Sequence, residues 1–174
     1  MPSWKLHARW AKRLGVEESF AYKINRLIDQ ENPYGHDAGR RIKSVSYRLG
    51  RFILKEYGVL GFLAYLLHHA MDYMEYKIAE QGYVDLRNVI HKVWEVAFPV
   101  IMGQLTITRT GNIRYSPFSI RSRYPELYGL SRGDMDYYLE SVVGGLVNFL
   151  IEHGKGIADD IRHELIQRRN RKRI

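Results

Sequence analysis

The chain has 174 residues, 45% of them hydrophobic and 26% charged, with a formal net charge of +8. That balance is too apolar for a disordered chain, and the length suits one domain, 1–174, rather than two. No cysteine is present, which excludes disulfides, thiolate nucleophiles and cysteine-ligated zinc.

The longest apolar run, Val59 to Leu67, is shorter than the roughly 20 residues a membrane span needs. Residues Met1 to Lys5 hold no apolar signal-peptide core. The expectation is a soluble, cytoplasmic protein with no membrane partner. A sequence pI near 9.7 favours polyanionic partners, a phosphorylated small molecule or nucleic acid.

In chain order, Trp4, His7, Ala8, Ala11 and Leu14 recur at helical spacing, with Gly15 as a stop. A second helix follows Glu17 and Glu18, with Phe20, Ala21, Ile24, Leu27 and Ile28 on one face. Asn32-Pro33-Tyr34-Gly35 reads as a turn. A third helix carries Ile42, Val45, Leu49, Phe52 and Ile53 and ends near Gly58. The fourth, Val59 to about Ala79, is apolar all round in its first half, as a helix at the centre of a fold must be. Asp85 caps a fifth helix, which Pro99 kinks or ends. Leu105–Arg109 and Ile113–Tyr115 flank Thr110-Gly111-Asn112 and predict a short β-hairpin. After a loop rich in Ser, Pro and Arg, Asp134 opens a sixth helix with Met135, Leu139, Val142, Val143, Leu146 and Leu150. Gly144-Gly145 reads as a close helix contact. Gly154 and Gly156 are expected to separate a last helix holding Ile157, Ile161 and Leu165. The basic residues from about Arg168 read as a solvated tail. The fold class expected is all-α: a bundle of about seven helices with one small β-hairpin.

Histidine placement carries the chemical information. His7 lies on the apolar stripe of the first helix, where its ring nitrogens need a hydrogen bond or a metal. His36-Asp37 opens a helix after the turn. By itself it reads as a loop residue and an N-cap, or as an imidazole and a carboxylate gripping one ion. His68 and His69 sit in the most apolar helix. Asp72 follows on the same face as His68, four residues on.

The order of these features resembles the HD-domain superfamily of metal-dependent phosphohydrolases. His7 opens a match to the family's first helix. His36-Asp37-Ala38-Gly39-Arg40 is similar to its His-Asp-x-Gly-Lys/Arg signature, and His68-His69 falls where larger metal sites place further histidines. The resemblance spans about the first 75 residues. It implies a divalent metal (Mn, Mg, Ni, Fe or Zn) held by His7, His36, Asp37, His68 and a late aspartate. Asp136 is favoured for that aspartate over Asp159 and Asp72. Asp37, Arg40 and His69 take the catalytic roles, and Arg40 and Arg41 contact phosphate. The substrate class is a nucleotide or nucleic-acid phosphoester.

Two other readings stand beside this one. Arg109, Arg114, Arg121, Arg123 and Arg132 interleave with Tyr115, Phe118 and Tyr124. With the basic C-terminus they suit a non-catalytic nucleic-acid binder. Thirteen tyrosines and three tryptophans also allow an assembly protein with a homo-oligomer interface. Gly-rich phosphate loops and His-Glu-x-x-His are absent.

Overall fold

A computed structural model describes residues 2–31, 46–102, 105–107, 113–115 and 132–173; for 46–47, 102, 105–107, 113–115 and 132–138 the description is confined to the backbone. Five helices lie among the described residues: α1 (Trp4–Leu14), α2 (Glu18–Asp29), α3 (Ser46–Gln81), α4 (Leu86–Met102) and α5 (Arg132–Lys172).

Local chemistry sets the first boundaries. The Ser3 hydroxyl accepts the Leu6 backbone N–H at 3.2 Å and so caps α1. Gly15 ends it at φ 102°, a conformation that suits a residue without Cβ. Asp85 caps α4 through the Arg87 backbone N–H at 2.9 Å. The α4 helix runs through Pro99 to Met102.

The third and fourth predicted helices run end to end as α3 and meet at the expected Gly58, whose φ of 73° breaks the helical geometry there. The helix count differs from the sequence expectation at the C-terminal end. The sixth and seventh predicted helices are one continuous α5. Gly154 and Gly156 do not break it. A Cβ on Gly154 would stand 2.8 Å from Leu86 Cδ1, and one on Gly156 would stand 3.3 Å from Trp10 Cη2. These two glycines let α4 and α1 approach the helix. Gly144 and Gly145, expected at a close contact, meet no atom within 4 Å of an added Cβ. The basic segment from Arg168, expected as a tail, continues α5 as far as Lys172.

Leu105–Ile107 pairs antiparallel with Ile113–Tyr115, Thr106 opposite Arg114. The turn expected at Thr110-Gly111-Asn112 lies outside the described residues. No described helix is long and apolar enough to cross a membrane.

The α3 helix packs against each of the other four helices. Phe62, Tyr65, Leu66, Leu67 and Met71 are fully buried on several of its sides. Two histidines and Asp72 enter the same interior because most sides of this stretch of α3 are covered by the other helices. α1 and α2 lie across it and bring His7, Asn25 and Asp29 to it.

Candidate metal centre

Four side chains from three helices meet beside α3. His68 and Asp72 are one turn apart on the same face, with His68 Nε2 3.3 Å from Asp72 Oδ2. His7 arrives from α1, its Nε2 3.3 Å from Asp72 Oδ1. Asp29, the last residue of α2, places Oδ1 3.3 Å from His68 Nε2. The two imidazoles stack with centroids 4.3 Å apart and planes 16° apart. Their exposures are 2% for His7 and 1% for His68.

The outer ring nitrogens fix the tautomers. His7 Nδ1 lies 3.1 Å from the Ser3 carbonyl oxygen, which can only accept, so Nδ1 carries the proton. His68 Nδ1 likewise donates to Asn25 Oδ1 at 3.0 Å. Trp4 Nε1–H donates to Asp29 Oδ2. In a neutral ring this arrangement leaves an Nε2 lone pair pointing at carboxylate oxygens. Lone pair facing lone pair is repulsive unless a cation lies between them. That cation is a proton on Nε2 or a metal ion.

The geometry fits a metal. His7 Nε2, His68 Nε2 and Asp72 Oδ1 are all buried, and beyond their 3.3 Å contacts with one another and with Asp29 they have no hydrogen-bond partner among the described residues. One ligand atom each from His7, His68 and Asp72 can be drawn so that all lie within 4.8 Å of one another. Two atoms each bonded to one ion at 2.0–2.2 Å, at a tetrahedral angle, stand about 3.3–3.6 Å apart. Each histidine stands at that spacing from Asp72, His7 Nε2 from Oδ1 and His68 Nε2 from Oδ2, both at 3.3 Å. Imidazoles whose second N–H is held by a carbonyl or amide oxygen are the usual outer support of a metal-bound histidine.

Without an ion, protonation must supply the charge. Burial pulls the His68 imidazolium down, but the facing carboxylates of Asp72 and Asp29 outweigh it and hold the ring up at about 9. Burial alone would raise Asp72; the positive charge of His68 reverses this and holds it well below the usual carboxylate range. His7 is lowered by its burial and by the His68 charge, against the pull of Asp72.

Comparison with known proteins returned no matching family model, no matching curated protein and no matching solved structure. The residues of this chain therefore carry the argument.

Among the residues singled out in the sequence, the structure brings together His7, His68 and Asp72. It places His69 elsewhere: its ring stands at 80° to that of His68 and packs edge-on against Tyr65 at 4.6 Å. Burial, then the His68 charge, pushes His69 down to about 3, so it is a neutral core residue. Asp159 is exposed and pairs with Arg162 at 2.9 Å, away from the cluster. His36, Asp37, Arg40, Arg41 and the Asp136 side chain lie outside the described residues, as does most of the Arg- and aromatic-rich stretch 109–132. Asp29 and Asn25 were missed. Their signal was a buried polar residue, Asn25, on the apolar stripe of α2, with Asp29 one turn on.

Proposed function

We propose that this protein is a divalent-metal-dependent phosphohydrolase whose ion is held by His7, His68, Asp72 and Asp29. The supporting observation is that one ligand atom each from His7, His68 and Asp72 converges within 4.8 Å in the interior, with His7 Nε2, His68 Nε2 and Asp72 Oδ1 all buried. Two imidazoles and two carboxylates with no thiolate suit Zn, Mn or Fe(II). The side chains of Asp72 and Asp29 keep 10% and 9% of their surface exposed, against 2% and 1% for the histidines, so the carboxylate edge is the less buried side of the site. A bound ion there would supply Lewis acidity toward a phosphoryl oxygen and a more acidic water. The carboxylates would orient that water, and the histidines would hold the ion against the core. The HD-type resemblance adds His36 and Asp37 as further ligands and Arg40 and Arg41 as phosphate contacts.

A second reading has its own support. Near-complete burial of both imidazoles is typical of closed centres that stabilise a fold. It predicts metal binding and a metal-dependent melting temperature without turnover. Hydrolysis of bis(p-nitrophenyl) phosphate by EDTA-treated protein, with Mn, Zn or Fe(II) restored, separates the two. The hydrolase reading expects activity that returns with metal and is lost in Asp72→Asn. Metal-restored melting temperature with no hydrolysis by any of the three ions contradicts it.

A further inference from the structure

A cleft of about 630 Å³ opens between the start of α1 and the last third of α5. Ser3, Lys5 and Arg9 line one wall, and the α5 wall runs from Asp160 to Arg171. Those α5 positions form a single stripe that spans twelve residues and about 16 Å. The cleft carries four cations, Lys5, Arg9, Arg168 and Arg171, against two carboxylates, Asp160 and Glu164.

Both carboxylates are engaged by the walls themselves. Asp160 accepts from Arg9 at 2.8 Å and from Trp10 Nε1 at 3.0 Å. Glu164 accepts the Ser3 backbone N–H at 2.7 Å, the Ser3 hydroxyl and the Arg168 guanidinium. Arg168 reaches on to Glu75 at 3.3 Å. Lys5 and Arg171 have no ion-pair partner among the described residues, and they stand on opposite walls. The Gln167 amide donates to His163 Nε2 at 2.9 Å, and both side chains line the cleft.

We infer that this cleft binds the phosphate backbone of a single-stranded nucleic acid. One phosphate is too small to use cations spread along about 16 Å of helix; a chain of phosphates is not. The concavity between two helices admits a strand and excludes a flat membrane. The walls hold no Phe, Tyr or Trp for base stacking, so recognition is mainly through the backbone and independent of sequence. The site does not depend on the metal, although its floor adjoins it: Ser3 lines the cleft and accepts the His7 Nδ1–H.

The test is fluorescence anisotropy of a 5′-fluorescein-labelled oligothymidylate in EDTA, over a series of salt concentrations. Lys5→Ala and Arg171→Ala should each weaken binding several-fold and flatten the log affinity against log salt slope by about 0.7, the loss of one phosphate contact. Arg169→Ala and Arg173→Ala remove the same charge outside the cleft and should change affinity less than about twofold. Equal losses in all four variants, no effect of Lys5→Ala and Arg171→Ala, or competition by polyglutamate as effective as by unlabelled strand would each overturn the assignment. EDTA keeps the outcome separate from that of the metal reading.

Discussion

Asn25 is a buried amide whose role is visible only through its neighbour. Its Oδ1 accepts the His68 Nδ1–H and thereby turns Nε2 toward Asp72 and Asp29. Outer partners of this kind commonly contribute 10–100-fold to metal affinity. Asn25→Ala is expected to weaken Zn affinity by about that factor with the four ligands intact, measured by competition with a chromogenic chelator. Protonation gives a second check. In EDTA-treated protein His68 is raised from 6.5 to about 9, so the stability it contributes is full below about 6.5 and is lost as the pH climbs through about 9. His69 is lowered from 6.5 to about 3. The unfolded chain takes up a proton there that the fold refuses, so stability falls as the pH drops from 6.5 toward 3. Metal-free protein should therefore melt at its highest temperature near pH 6.5. Seating a metal displaces the His68 proton, so the gain in melting temperature on adding Zn should grow between about pH 6 and pH 8. A gain independent of pH would count against metal at His68.

At the scale of elements, five glycines in long helices separate by what surrounds them. A Cβ on Gly50 would lie 2.5 Å from Val100 Cγ2 and 2.9 Å from Tyr65 Cε1, both on fully buried side chains. Gly50→Ala should cost about 1–3 kcal/mol through overpacking. Gly144→Ala and Gly145→Ala meet nothing and should each stabilise by up to about 1 kcal/mol, the helix-propensity difference. Urea denaturation of the three variants checks the sign of each. Sequence periodicity placed the helix faces well, because Leu139, Val143, Leu146 and Leu150 are buried at the spacing the pattern implied. It misread Gly154 and Gly156 as breaks. A glycine needed for close approach and a glycine that ends a helix are the same letter, and only the facing Leu86 and Trp10 tell them apart. The cap at Asp85 and the stop at Gly15 were legible because they act within one turn.

At the scale of the molecule, the His7, His68, Asp72 and Asp29 cluster forms because α1 and α2 pack against one level of α3. His68 and Asp72 were legible together, since four residues on a helix fix a shared face. His7 was legible as an inward histidine. Its meeting with Asp72, 65 positions along the chain, depends on how α1 packs against α3, which no local pattern encodes. Asp29 was hidden for the same reason: a carboxylate at a helix end reads as ordinary until the packing of α2 on α3 turns it inward. The basic C-terminus is solvated but helical, with Arg169 to Arg173 exposed. A run of like charge resembles a solvated tail, yet Arg168 is drawn in by Glu164 and Glu75, and α5 stays helical past it.

The account rests on a divalent ion between His7, His68, Asp72 and Asp29. Isothermal titration of EDTA-treated protein with Zn and Mn tests this most directly. The prediction is one ion bound per chain, with proton release on binding and loss of the site in His68→Ala and Asp72→Asn. A chain that takes up neither ion, or takes one up equally well in both variants, would contradict it and leave the cluster a proton-sharing knot of the core.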